Sequence, residues 1–430
     1  MKEQTVSPER SPEPSGLVRG RERRLNVLSN EFFPAYVVWE LTLACDHACA
    51  HCGSRGAQAR QNELSTTEAL KVADELVELG TREVVLIGGE AYLHEGFFKI
   101  ARHLKDSGVI PIVTTGGWGI DLAMAHKMAQ AGIARVSVSI DGMEVCHDRM
   151  RSKKGSFQQC LKALSHIHEA GMIPQMNSNF NRFNQDDLEE LYLLAKRKGV
   201  KAWQVQITSP LGRAADRPQM LFQPYDLLDF VPRLARIKER ALKEGIHIMP
   251  GNNLGYFGPE ESLLRSRTIK RQDHWSGCQA GRFVMGIESD GAVKGCPSLQ
   301  TTSYVGGRYR EQQHTNKPIQ YIWKESKELS FTRQRTREDL WGYCATCPLA
   351  DVCLGGCSFT AHGFFGKAGN NPMCHFRAIQ HHKQGLRERL IRRTAAPGNP
   401  FDHALFEIIV EEFDAPEPPT RSNDLVSIRG

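Results

Sequence analysis

Three cysteines lie close together near the start of the chain, at Cys45, Cys49 and Cys52, in the pattern C-x3-C-x2-C. Cysteine thiolates are the usual ligands of iron–sulfur clusters, and a cluster of four irons normally takes four of them. Three thiolates on one loop therefore leave one iron without a protein ligand, and an open metal position binds a reactant. The spacing predicts a catalytic metal site.

Zinc and disulfide bonds explain this triplet less well. Structural zinc sites favour two C-x2-C pairs, which three cysteines on a single loop do not supply. A chain of 430 residues can bury a full hydrophobic core, so it does not need a disulfide framework.

The elements that must position the triplet are short strands alternating with helices. The apolar run 36–39 predicts a buried strand directly before the cysteines, and the capping box at 65–68 predicts the start of a helix. Strand-like runs occur at 36–42, 83–87, 110–114, 136–140, 173–177 and 203–207, and helical patterns at 96–107, 121–131, 156–170, 185–198 and 224–244. Six such β/α units predict an α/β fold with a parallel sheet, and since eight units close a full barrel, we expect an open partial barrel with its active-site loops at the C-terminal ends of the strands.

The triplet resembles the signature of the radical SAM superfamily. The resemblance implies a six-unit barrel, and an open iron that chelates S-adenosylmethionine (SAM) and cleaves it to a 5′-deoxyadenosyl radical. Two further motifs match in order along the chain. Gly88, Gly89 and Glu90 resemble the family's GGE motif, which contacts the amino group of SAM, with Ala91 where the family usually has proline. Ser139 and Asp141 match its SxDG turn, which contacts the ribose or carboxylate, and Arg151 is a further candidate for the carboxylate.

Seven more cysteines follow residue 275, and a hairpin turn is predicted at 289–291. Zinc remains an alternative on spacing alone, because the set contains a C-x2-C pair. The whole array resembles the SPASM domain of radical SAM enzymes, which implies two auxiliary 4Fe-4S clusters and three clusters in total. By that resemblance Cys278, Cys296 and Cys357 hold the first, and Cys344, Cys347, Cys353 and Cys374 hold the second, an electron relay. The first lacks a fourth cysteine, so either Asp273 or His274 completes it or the iron stays open for substrate.

Composition sets the remaining expectations. The net charge is +6, with no basic block interleaved with aromatic residues, so we expect no nucleic-acid partner. No apolar run is long enough to span a membrane, and the polar N-terminus lacks a signal-peptide core. Twelve cysteines without such a signal favour a reducing cytoplasm. We expect a flexible tail at 1–30, the barrel at 31–245, a bridging segment at 246–277, the auxiliary-cluster domain at 278–378, and a C-terminal helix and tail at 379–430.

The resemblance spans about residues 34–380, and the forms of 49–52 and 353–357 are most similar to the mycofactocin-maturase and heme-biosynthesis branches. It implies an enzyme that oxidatively modifies a ribosomally made peptide by cross-linking, decarboxylation or desaturation, while auxiliary clusters accept the electron. The alternatives are a tetrapyrrole side-chain decarboxylase, a maturase of sulfatase type and a non-catalytic electron carrier. The candidate SAM contacts at Glu90, Ser139 and Asp141 argue against the electron carrier, which would not need to bind SAM.

The implied partners are a precursor peptide and a low-potential electron donor such as flavodoxin or ferredoxin. Neither terminus has room for a fused leader-binding domain of about 80 residues, so we expect a separate leader-binding protein or recognition on the barrel surface. The sequence does not identify a general base.

Overall fold

The computed structural model describes residues 32–268, 273–299 and 301–417, with only the backbone at 301 and 302. The predicted N-terminal tail at 1–30 lies outside this range. The described residues from Phe33 onward belong to one compact unit.

A parallel sheet forms the centre of this unit, and the six strands predicted from the sequence are all present. They are neighbours in chain order, and a seventh strand within the predicted bridging segment extends the sheet. The strands are β1 (Tyr36–Glu40), β2 (Glu83–Ile87), β3 (Ile110–Thr115), β4 (Arg135–Ser139), β5 (Ile173–Phe180), β6 (Ala202–Ile207) and β7 (His247–Pro250).

Amphipathic helices connect these strands, as their sequence periodicity predicts. They are α1 (Thr66–Glu78), α2 (Phe97–Asp106), α3 (Leu122–Gln130), α4 (Glu144–Arg151), α5 (Ser156–Glu169), α6 (Leu188–Arg197) and α7 (Leu227–Lys243). The predicted capping box is present at the start of α1, where the Ser65 hydroxyl accepts from the backbone N–H of Glu68. The apolar faces of the helices pack on the sheet in one large core that includes Trp39, Leu86 and Trp203.

The cysteine-rich C-terminal region is joined to the barrel through the sheet itself. β8 (Val284–Ile287) pairs in parallel with β1, and the predicted turn, with Gly291 at φ 83°, leads to the antiparallel strand β9 (Ala292–Lys294). After α8 (Glu261–Arg265) and α9 (Thr301–Tyr304), β10 (Val305–Arg308) ends the sheet, whose order is β10-β9-β8-β1-β2-β3-β4-β5-β6-β7. The sheet thus has two separate edges, β10 and β7, and is open as predicted.

Short helices follow the sheet along the chain. They are α10 (Pro318–Glu325), α11 (Lys327–Ser330), α12 (Tyr343–Thr346), α13 (Ala350–Cys353), α14 (Ser358–Phe365) and α15 (His375–His382). Five of the seven later cysteines lie within or directly beside the last four of these helices.

The end of the chain differs from the helix and tail predicted for 379–430. Helix α15 ends at His382, and two strands, β11 (Leu386–Thr394) and β12 (Leu405–Glu412), form an antiparallel hairpin. Its strands are rich in charges that pair across the hairpin, as Glu411 does with Arg387 and Arg389. That charge obscured the apolar alternation by which a half-buried strand is recognised. Within the described residues, no helix is long and apolar enough to cross a membrane.

Candidate active site and metal centres

The predicted triplet lies on the loop that follows β1, at the C-terminal edge of the sheet. Cys49 is buried and Cys45 and Cys52 are half-buried. The loop is pinned to itself by backbone hydrogen bonds from the N–H of Cys45 to Ala57 and from the N–H of Ala57 to Leu43. All three thiols therefore lie on one ordered loop at the edge where α/β barrels bind their ligands.

An arginine on the segment after β6, which the sequence analysis did not predict, holds this loop in place. Arg213 follows β6, and its guanidinium donates to the carbonyls of Cys49 (2.8 Å) and Gly56 (3.0 Å), while its backbone N–H donates to Cys52 (2.9 Å). A single arginine after a strand carries no spacing signal. Only the folded structure shows that it orients the loop.

The two glycines of the GGE motif press against the cysteine loop. A Cβ on Gly89 would lie 2.1 Å from the carbonyl oxygen of Ala44, and one on Gly88 would lie 2.3 Å from that of Thr42. The N–H of Gly89 donates to Thr42, and the N–H of Glu90 donates to Ala44. The sequence predicted that these glycines allow close approach to a ligand, whereas the close approach seen here is to the backbone that carries Cys45.

Glu90, the third member of the motif, is a buried carboxyl group with 2% of its surface exposed. Thr115 donates to it from Oγ1 (2.8 Å), and the backbone N–H of Gly116 donates to it as well. Burial, and then the nearby charge of Asp46, raise the pKa of Glu90 to about 8. An ammonium group bound beside Glu90 would favour its ionised carboxylate.

The SxDG turn and Arg151 meet at the cysteine loop. Asp141, which is 1% exposed, forms ion pairs through Oδ2 with Arg151 (2.5 Å) and with Nε2 of His51 (3.2 Å). Although burial opposes ionisation, these partners hold the pKa of Asp141 well below its usual range. Arg151 also donates to the Cys49 sulfur at 3.8 Å. Ser139 is half-buried at the end of β4, opposite Asn177 in register. The structure thus gathers these residues around the triplet, and their contacts with SAM remain a prediction.

The triplet fits an iron–sulfur cluster by its chemistry. Burial raises the pKa of Cys45 to about 12 and that of Cys49 to about 11, so these thiols are neutral until a metal displaces their protons. Two buried nitrogens beside the loop, His51 Nδ1 and Arg151 Nε, have no hydrogen-bond partner among the described residues. Of these two nitrogens, Arg151 Nε carries a hydrogen and can donate it to an anionic group between the loop and α4.

A single mononuclear metal ion fits the loop less well. Cys45, Asp46 and His47 bring their ligand atoms within 4.8 Å of one another. Asp46, however, already accepts from His47 Nδ1 (2.5 Å) and from the Tyr92 hydroxyl (2.5 Å). His47 Nε2 is engaged with the Ser156 hydroxyl at 3.0 Å.

The structure places the seven later cysteines in two groups, and their assignment as cluster ligands stays a prediction. Burial, followed by the charges of Cys278 and Cys357, raises the pKa of Cys296 to about 12. Burial and then Cys278 raise the pKa of Cys357 to about 11. These three thiols therefore lie near one another, although Cys278 and Cys357 are 79 positions apart in the sequence.

The two residues considered as a fourth ligand are held by other partners. His274 is exposed, its Nδ1 lies 2.9 Å from the carbonyl of Trp275, and its ring lies against Phe257. The backbone N–H of Asp273 donates to the Ser266 hydroxyl, and its charge acts on Lys238. Because Nδ1 of His274 is already engaged by this carbonyl, we favour the open position, which stays a prediction.

The other four cysteines surround one cavity. Its lining includes Cys344, Cys347, Cys353, Cys374 and Arg377. Burial and then the charge of Cys353 raise the pKa of Cys374 well above its usual value. Four thiols around one space fit a fully ligated cluster.

Two aromatic residues stand between these cysteine sets. The Tyr256 hydroxyl accepts from the N–H of Cys357 (3.2 Å), and its backbone carbonyl accepts from the Cys374 thiol (3.9 Å). Trp275 packs edge-on against Tyr256 and donates from Nε1 to the carbonyl of Cys353 (3.1 Å). Both sets are thus packed against the same aromatic pair. The two cysteines outside all three sets, Cys146 and Cys160, bond backbone carbonyls of Phe183 and Gly116.

Comparison with known proteins identifies relatives of this chain. The sequence model of the radical SAM superfamily matches residues 39–195. The AdoMet-dependent heme synthase of Methanosarcina barkeri is 30% identical over 365 residues, which cover 80% of this chain and 97% of that protein. Mycofactocin maturase MftC of Mycolicibacterium smegmatis is 28% identical over 348 residues, which cover 79% and 82%. The solved structure of anSMEcpe with bound AdoMet and a peptide superposes with a TM-score of 0.62 at 17% identity, covering 80% and 94%.

Proposed function

This chain belongs to the radical SAM superfamily, and on that premise we propose that it is an oxidative maturase of a ribosomally synthesised peptide. The observation that carries the proposal is the presence of three separate thiol sets, one at the barrel edge and two beyond it. A superfamily member needs only the first set for SAM. Two more sets suit a reaction in which a second electron must leave the substrate.

Cys45, Cys49 and Cys52 would hold a 4Fe-4S cluster that binds SAM through its open iron. When bound and reduced, this pair supplies a 5′-deoxyadenosyl radical, which removes a hydrogen atom from an unactivated carbon. Within the protein, Glu90 would receive the amino group of SAM, and Ser139, Asp141 and Arg151 would face its ribose or carboxylate. Arg213 keeps the loop in place through its carbonyls.

The remaining cysteines would hold two auxiliary 4Fe-4S clusters. Cys278, Cys296 and Cys357 would leave one iron for substrate, while Cys344, Cys347, Cys353 and Cys374 would hold a relay. A low-potential donor such as flavodoxin or ferredoxin would supply the first electron. All twelve thiols are free in the structure, which suits a reducing cytoplasm.

Anaerobic assay of the reconstituted protein with dithionite and SAM tests this proposal. We expect 5′-deoxyadenosine by mass spectrometry, faster release when a precursor peptide encoded beside the gene is added, and a peptide that has lost two hydrogens, or carbon dioxide together with two hydrogens. A variant with alanine at Cys45, Cys49 and Cys52 should form none. Release of 5′-deoxyadenosine with an unchanged peptide would contradict the substrate class but not the radical chemistry.

A second candidate is decarboxylation of tetrapyrrole side chains. The observation that favours it is the heme synthase relative, which this chain matches over 97% of that protein's length. The same assay decides between the two when an iron tetrapyrrole with propionate side chains replaces the peptide. Carbon dioxide and a decarboxylated tetrapyrrole would establish this candidate instead. Sulfatase-type maturation has support from fold likeness alone.

A further inference from the structure

The hairpin formed by β11 and β12 (residues 386–412, called the C-terminal hairpin here) contacts the loop that carries the triplet. The N–H of Phe401 donates to the carbonyl of Gly53 (3.0 Å), directly after Cys52. The N–H of Gly212, beside Arg213, donates to the carbonyl of Asp402 (2.8 Å). The tip of the hairpin therefore lies between the cysteine loop and the segment after β6.

An ion pair fixes this contact. Asp402, which is 3% exposed, accepts from Arg55 Nε (2.9 Å) and from an outer nitrogen of the same guanidinium (3.2 Å). The backbone N–H groups of Gly398 and Asn399 also donate to Asp402, so its carboxylate is itself held in place. The other face of Arg55 pairs with Asp216, whose side chain is 41% exposed.

The conformation of Arg55 makes this pair more than a surface contact. Its φ is 52°, a left-handed backbone that residues with a Cβ rarely adopt and that persists only when surrounding contacts impose it. Arg55 stands three residues after Cys52, and its N–H donates to the Cys52 carbonyl. The two hydrogen bonds from the Arg55 guanidinium to Asp402 therefore fix the backbone conformation directly after the triplet.

The same hairpin touches both regions of later cysteines. The Phe401 ring lies 3.9 Å from the ammonium of Lys294, a fully buried residue two positions before Cys296. In β11, Glu388 accepts two 2.6 Å hydrogen bonds from Arg377, which lines the four-cysteine cavity. Both members of this pair are nearly fully buried.

We propose that the C-terminal hairpin is a positioning element for the cluster sites, in which Asp402 fixes the triplet loop through Arg55 and Glu388 fixes the Arg377 cation beside the four-cysteine cavity. The proposal rests on the proposed clusters. It goes beyond them because it assigns a role to residues that follow the last cysteine and carry no ligand.

The first arm is tested with Asp402→Asn, which keeps the size of the side chain and removes its charge. We expect iron to leave the triplet about tenfold faster on addition of a chelator, as when the partner of a metal ligand is changed. The change that SAM induces in the electron paramagnetic resonance spectrum of the reduced protein, which reports the triplet alone, should also shift. Arg55→Lys should reproduce both effects because it removes the fork but keeps the charge. The double variant should be no worse than either single one.

The matched control is Asp216→Asn, which alters the half-exposed partner of the same guanidinium and should leave both readouts near wild type. If Asp402→Asn does not fold, Arg55→Lys carries the test. If both variants lost iron at the wild-type rate and showed the wild-type spectral change with SAM, the proposed role of Asp402 would be wrong. A wild-type protein that binds no iron at the triplet would instead contradict the proposed function.

The second arm is tested with Glu388→Gln. Without the carboxylate, the Arg377 cation beside the cavity is no longer neutralised, so the midpoint potential of the four-cysteine cluster should rise in a redox titration followed by electron paramagnetic resonance. Glu407→Gln is the control, because it breaks the exposed Arg393–Glu407 pair of the same hairpin. An unchanged potential in Glu388→Gln, with the control also unchanged, would overturn this arm.

Discussion

Glu90 shows how a single buried residue prepares the site for its ligand. Its pKa is raised from 4.5 to about 8, first by burial and then by Asp46, so most of it is protonated at neutral pH. A group whose folded pKa exceeds its unfolded value contributes stability below pH 4.5 that is lost as the pH rises toward 8. An ammonium group beside Glu90 would favour the carboxylate and reverse this shift.

We therefore predict that SAM binding near pH 7 releases a proton from Glu90. Calorimetry in two buffers of different ionisation enthalpy measures this proton directly. Glu90→Gln should bind SAM more weakly and release no proton, while its iron absorbance stays unchanged, because Glu90 is proposed to touch the ligand and no iron. Equal proton release and affinity in wild type and variant would remove the GGE assignment.

The fourth position of the first auxiliary set is also decided by single residues. Asp273→Ala and His274→Ala, separately and together, should leave the iron content and the substrate-free electron paramagnetic resonance spectrum unchanged, because His274 bonds Trp275 and Asp273 lies beside Lys238. Loss of iron or a changed signal before substrate is added would mean that a side chain is the ligand and that the position is not open.

Sequence patterns identify single functional residues whose partners are close along the chain. The triplet, the GGE motif and the SxDG turn are short patterns, and the structure brings all three to one edge of the sheet. Asp402 could not be found in this way, because its partner Arg55 lies 347 positions earlier. A lone aspartate in a loop has no distinguishing neighbours, so its role depends on tertiary contact alone.

Among the elements, the contact between the end of β2 and the cysteine loop is the tightest at the site. We predict that Gly89→Ala destabilises the protein by about 3 kcal/mol and lowers iron at the triplet, because the added methyl would meet the backbone of Ala44 and Cys45. Thermal unfolding and iron analysis measure the two effects.

Gly171→Ala is the matched control. Gly171 has φ 81° and open space around its Cβ position, so alanine there meets only backbone strain, about 1 kcal/mol. If both substitutions lower the free energy of unfolding equally and Gly89→Ala keeps its iron, Gly89 does not position the cysteine loop.

Elements with a clear hydrophobic period were predicted within a few residues of their observed bounds, as β2 and α5 show. The C-terminal hairpin was missed for a physical reason. Its arginines and glutamates are satisfied by one another across the strands, and prolines in its connection suggested a tail. Cross-strand pairing of distant charges has no local pattern.

For the whole molecule, continuity of the sheet is the feature that unites the chemistry. β8 pairs with β1, so the hairpin that precedes Cys296 extends the same sheet whose next loop carries Cys45. The C-terminal hairpin adds a second connection from the triplet loop to the four-cysteine cavity. The three thiol sets are therefore parts of one compact unit.

Iron and sulfide analysis of the anaerobically reconstituted protein decides whether the chain holds three clusters. We predict about twelve irons in the wild type, and about eight both in the variant lacking Cys45, Cys49 and Cys52 and in the variant lacking Cys344, Cys347, Cys353 and Cys374. Only the first of these variants should lose all SAM cleavage. Stoichiometric zinc at the later cysteines, or SAM cleavage that survives loss of the triplet, would contradict this prediction.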